Sequence, residues 1–99
     1  MFTEPFLSLA VEGEVTIYRA PELKAEWMTA LQRTALLELN LGGVTELDTA
    51  GVQVLMTLKQ VAQTTSRELR LVAHSPAVLE IFELLDLGGW FGDPLLIAA

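Results

Sequence analysis

Apolar residues recur along the chain in short runs whose period changes from two to between three and four and back, which predicts strands alternating with helices. Residues 6–11 and 14–18 read as two strands, with Val15 and Ile17 alternating against Thr16 and Tyr18 and Glu12-Gly13 as the turn of a hairpin. Pro21 suits the first turn of a helix in which Leu23, Trp27, Ala30, Leu31 and Thr34 share one face, while Glu22, Glu26, Thr29 and Arg33 fall away from it. Residues 36–41 form a nearly continuous apolar run, the mark of a central strand, and Gly42-Gly43 reads as its terminating turn. A second helix is predicted from about residue 50 to 64, with Gly51, Leu55, Leu58 and Ala62 on its inner face. Another strand follows at residues 69–72. Ser75-Pro76 then caps and starts a third helix, whose inner face holds Val78, Ile81, Phe82 and Leu85 and which ends at Gly88-Gly89. Leu95-Leu96-Ile97 either adds a last short strand or packs down, with Pro94 limiting its pairing. The predicted order is ββαβαβα, an α/β fold with helices against a mixed sheet.

Length and charge narrow the functional classes. Ninety-nine residues fit one domain, residues 1–99, and a chain of this size buries about two thirds of its unfolded surface. No apolar run approaches the ~20 residues that span a bilayer, so direct membrane insertion is not expected. The start of the chain contains Glu4 and Pro5 and lacks a basic segment, so no signal peptide is read and a cytoplasmic location is expected. Thirteen acidic against six basic residues give a net charge of −7. Such a field repels phosphate backbones, which disfavours nucleic acid as a partner, and favours approach of a basic surface.

Catalytic groupings are lacking. The sole histidine, His74, adjoins Ser75 in sequence but reads as a loop residue beside a helix cap. With one histidine and no cysteine there is no recognisable zinc set. Glu46 and Asp48 are two carboxylates in a loop without a discernible acid and base division of roles. No phosphate-binding glycine loop occurs. The chain is therefore expected to be no enzyme and to need neither metal nor cofactor.

One stretch carries a more specific signal. Residues 37–52, from Leu37-Glu38-Leu39-Asn40-Leu41 through Asp48-Thr49-Ala50-Gly51-Val52, resemble the signature of STAS domains of the anti-sigma factor antagonist type: a hydrophobic strand, a loop, then Asp-Ser/Thr-x-Gly opening a helix. The likeness extends to Ala20-Pro21-Glu22-Leu23, Leu69-Arg70-Leu71-Val72 and Ser75-Pro76-Ala77-Val78. It implies a STAS-type mixed β-sheet packed against three to four α-helices. It also implies a non-catalytic module of partner-switching signalling, which binds an ATP-using serine/threonine kinase or anti-sigma factor and is released by phosphorylation at the position of Thr49. Thr49 stands where Ser is commoner, and Ala50 stands where many members carry a second hydroxyl. The Asp-Thr-Ala-Gly form also resembles the STAS subunit of lipid-transporting ABC complexes, which implies as an alternative a constitutive grip on an ABC ATPase. A STAS regulator in a chemotaxis-type pathway is a further alternative.

Local chemistry at this stretch is independent of the resemblance. A threonine at a helix start can cap unpaired backbone N–H groups or carry a phosphate at the positive end of the macrodipole. Asp48 restrains the loop, and Gly51 allows close approach of backbone. Helical spacing projects Thr49, Val52 and Met56 between the apolar and polar stripes, next to Gln53, and leaves Val52 and Met56 partly exposed. Asp48, Thr49, Gly51, Val52, Gln53 and Met56 are thus the expected partner-binding residues. Trp90-Phe91 reads as a core lid, or, if exposed, as a second interface.

Overall fold

The computed structural model describes residues 4–91. Its elements run β1 (Glu4–Val15), α1 (Ala20–Gln32), β2 (Thr34–Leu47), α2 (Thr49–Thr64), β3 (Glu68–Val72), α3 (Pro76–Leu84) and α4 (Gly88–Phe91). The strands lie in the order β1-β2-β3, and both pairs are parallel. Helices against a sheet is the expected α/β architecture. The expected hairpin is absent, however, and among the described residues the sheet is parallel throughout.

The reason lies in how β1 and β2 accommodate different lengths. The register steps from Ala10↔Asn40 to Glu12↔Gly43, and again from Gly13↔Val44 to Glu14↔Glu46, so β2 carries one extra residue at each step. These are β-bulges, which increase twist and bend the pair without ending it. Glu12-Gly13, expected as a turn, lies between them; Gly13 takes a φ of +82° while the strand continues. Gly42-Gly43 likewise continues β2, and the Asn40 Oδ1 accepts the Gly42 N–H at 2.9 Å beside the first bulge. The buried positions of β2 record both events: Leu37, Leu39 and Leu41 keep a spacing of two, whereas Val44 and Leu47 follow at spacings of three. Thr34, expected on the first helix, is instead the buried first residue of this strand.

Helix α1 buries Leu23, Trp27, Ala30 and Leu31, and α2 buries Gly51, Val52, Val54, Leu55, Leu58 and Ala62. Both pack on each other and on the apolar face of the sheet, where Leu37, Leu39, Leu69 and Leu71 are closed from solvent. The alternate positions Ser8, Ala10, Glu68 and Arg70 are exposed, as the period of a strand requires. Ser75 caps α3 as expected, its Oγ accepting the Val78 N–H at 3.3 Å. Leu85, expected inward, is exposed, because α3 stops at Leu84 and Asp86 turns the chain at a φ of +54°. Gly88-Gly89 accordingly opens α4 and does not close α3. The turn carries Phe91 back onto Phe82, the two rings stacked with centroids 5.1 Å apart and planes nearly parallel. Phe91 is a core lid; Trp90, edge-on to it, remains 41% exposed. Residues 95–97 lie outside the described residues.

Candidate functional site

The loop after β2 ends at Asp48, whose extended backbone and side chain make it the N-cap of α2. Its Oδ1 accepts the Gly51 N–H at 2.9 Å, and its Oδ2 accepts the Ile17 N–H at 3.0 Å. One carboxylate thus ties the helix start to the loop that follows β1, and the Asp48 N–H adds a bond to the Val15 carbonyl at 3.4 Å. Burial acts to raise the Asp48 carboxyl, but hydrogen bonds from the backbone N–H groups of Gly51, Ile17, Ala50 and Asp48 itself outweigh it and hold the group below its ordinary value. An acid held ionised with both oxygens engaged is a brace and a poor proton donor near neutral pH.

Because Asp48 does the capping, Thr49 is not needed for it. Thr49 is the first residue of α2 and is exposed. Gly51 is buried where the first turn of α2 meets the end of β1; a Cβ there would collide with the Val15 carbonyl oxygen, and it would stand 2.8 Å from Leu47 Cδ1. Only glycine lets the two elements close to this distance. Gln53 is exposed one turn beyond Thr49.

Val52 departs from expectation, whereas Met56 is partly exposed, as expected. Val52 is 4% exposed and belongs to the core, and Met56 is half-buried against it. Helix α2 packs on β3 as well as on α1, and Val52 shares its flank with Lys59, two turns on, whose Nζ donates to the Leu69 carbonyl of β3 at 3.1 Å, so the buried stripe is wider than the spacing of Leu55, Leu58 and Ala62 implies. Val52 therefore presents no surface. His74 stands beside the Ser75 cap, as expected, and is fully buried and edge-on to Phe82, centroids 5.4 Å apart.

The exposed apolar residues next to Asp48 lie instead on the β1–α1 loop. Ile17 is 63% and Tyr18 86% exposed. Their place in an apparent strand hid them, and the signal that separates them from it, the Asp48 bond to Ile17, is tertiary. A shallow groove of about 360 Å³ runs between the first turns of α1 and α2, lined by Pro21, Lys24, Ala50, Gln53 and Thr57 among others. The larger groove, about 680 Å³, follows β1 and α1 past Leu9 and Trp27 and does not include Thr49. Among the described residues no three His, Cys, Asp or Glu side chains are grouped as a metal site.

Comparison with known proteins decides the family. The family model described as "Mlab, STAS domain" matches residues 4–97. The chain belongs to the STAS domain family. The fold of this STAS domain is shared with "the Anti-Sigma Factor Antagonist SpoIIAA in its Unphosphorylated Form", at 21% identity and a TM-score of 0.75, over 95% of this chain and 84% of that one. It is shared also with "the Bacillus Cell Fate Determinant SpoIIAA in the Phosphorylated Form", at 20% identity and a TM-score of 0.68, over 95% and 86% of the two chains. No curated protein matches the STAS domain at a significant level.

Proposed function

We propose that residues 1–99 form one STAS domain that acts as a non-catalytic, partner-switching module. It binds an ATP-using serine/threonine kinase or anti-sigma factor through the surface around Thr49, and phosphorylation of Thr49 releases that partner. The observation that carries this reading is the position of Thr49: exposed, first in α2, and relieved of capping by Asp48. The fold shared with SpoIIAA in both phosphorylation states supports it. A phosphate at this position carries about −1.5 to −2 charges, meets the favourable end of the helix macrodipole, and adds to a surface already negative overall. The fold tolerates it while a docked partner does not.

The test is capture on the intact chain from its own cells, followed by titration of the recovered partner. Thr49→Glu is expected to weaken the complex by at least about 1.4 kcal/mol, tenfold, and Thr49→Ala to retain it. Parent-like binding by Thr49→Glu would refute switching. The single hydroxyl of Asp48-Thr49-Ala50-Gly51 favours a second reading, a constitutive accessory subunit of an ABC ATPase. There Thr49→Ala loses affinity because the hydroxyl is itself a contact.

A further inference from the structure

We propose that the Ile17-Tyr18 corner is the anchor by which this domain grips its protein partner, and that it fits an apolar pocket rimmed by lysine or arginine. The inference rests on the reading of the domain as a protein-binding module and names the chemistry of what it binds.

Three observations carry it. The corner is the most exposed apolar surface described, with Tyr18 at 86%, and tyrosine offers a large contact area for the ordering of only two torsions.

The corner is also held before any partner arrives. Thr16 accepts the Arg19 and Ala20 N–H groups through its carbonyl at 2.9 and 2.8 Å, and Asp48 takes the Ile17 N–H. The Arg19 guanidinium donates to the carbonyls of Glu12 and Glu14 at 3.0 and 2.8 Å. A loop fixed at these points presents its side chains with little further entropy to lose on binding.

Its surroundings are acidic. Glu14 and Glu46 are direct partners in the β1–β2 ladder, which places two acidic residues side by side next to the corner. Arg19, the basic residue of the loop, is committed to those carbonyls and to the Glu22 carboxylate at 3.3 Å, not to the carboxylates of Glu14 or Glu46. A cationic rim docked over the pair is attracted to it, which selects a basic partner surface and disfavours an acidic one. Thr49 adjoins the brace that holds the corner, so a phosphate there would alter the same surface.

Photo-cross-linking in the producing cells tests the proposal, with p-benzoylphenylalanine placed in the full chain at position 18 or, separately, at position 84, where Leu84 is also exposed. The expected result is an adduct from position 18, not from 84, mapping to a Lys- or Arg-rich segment of one protein. No adduct from 18, or one within an acidic segment, overturns the proposal. The cross-linked protein is then purified and titrated against variants whose folding is verified by circular dichroism. Tyr18→Ala and Ile17→Ser are expected to weaken it about tenfold or more. Glu14→Lys with Glu46→Lys is expected to slow association about fivefold at ~0.1 M salt, the difference closing near 1 M. Parent-like binding by Tyr18→Ala and Ile17→Ser refutes the anchor. Loss on Tyr18→Ala with full retention by Thr49→Glu leaves the anchor standing and refutes switching, and the converse pattern refutes the anchor alone.

Discussion

Trp27 and Asp48 illustrate two ways in which one side chain carries the fold. Trp27 is 1% exposed and sits where α1 meets the sheet and the neighbouring groove. Its truncation leaves a void that close packing cannot refill, so Trp27→Ala is expected to cost about 3–5 kcal/mol in urea unfolding. Asp48 acts through charge. Its carboxyl is held below the unfolded value, near 3.8, so the unfolded chain binds the proton more readily. The stability it contributes is fully present above that value and is lost as pH falls through the lower, folded value. Asp48→Asn keeps an N-cap side chain but cannot titrate. Stability measured from pH 6 down to 2 should therefore fall less steeply in Asp48→Asn than in the parent, and an unchanged slope would show that the carboxylate bonds contribute nothing.

The joints between elements show where the chain accepts local strain. After β3, Ala73 lies at a φ of +56° immediately before the buried His74 and the Ser75 cap. An alanine in this left-handed region is penalised by about 1–2 kcal/mol. Glycine removes the penalty and returns roughly 0.4–1 kcal/mol through unfolded-state entropy. Ala73→Gly is expected to raise stability modestly, by about 0.5 kcal/mol, with the cap at Ser75 intact. A loss in thermal or urea unfolding would indicate that the Ala73 methyl packs usefully. The bulged β1–β2 pair is the opposite case, in which the extra residues of β2 are absorbed by Asn40 and the glycines without breaking the ladder.

For the molecule as a whole, the site is a junction. Asp48 joins the β1–α1 loop to α2, and Gly51 brings α2 against β1, so the surface around Thr49 is assembled from parts more than thirty residues apart. Thr49 itself stays outside this packing. Thr49→Glu is therefore expected to keep the parent far-UV circular dichroism and a melting midpoint within a few degrees, about what a change below 0.5 kcal/mol produces. A collapse of the midpoint would mean that any loss of binding reflects unfolding. Val52→Asp has a different expected outcome, because it places a charge in the core. No described helix is long and apolar enough to cross a membrane.

Much of the fold is local and was legible in the residue pattern. The stripe of Leu23, Trp27, Ala30 and Leu31, the apolar run of β2 and the Ser75-Pro76 cap each follow from periodicity or from a side chain bonding within its own turn. Asp48-Thr49-Ala50-Gly51 marked the start of α2 and the need for close approach at Gly51 for the same reason. The parallel pairing of β1 was not local. A glycine at positive φ serves a hairpin turn or a bulge equally well, and only the partner strand decides between them. The exposure of Ile17 and Tyr18 and the burial of Val52 were equally beyond the pattern. The first depends on Asp48, 31 residues away in sequence from Ile17, bending the chain out of the sheet. The second depends on α2 lying against β3 along the flank that Val52 shares with Lys59, which helical spacing alone leaves open. Sequence determined the central parts of α1, α2, α3, β2 and β3; tertiary packing decided how far the strands run, how they pair and which side chains remain available to a partner.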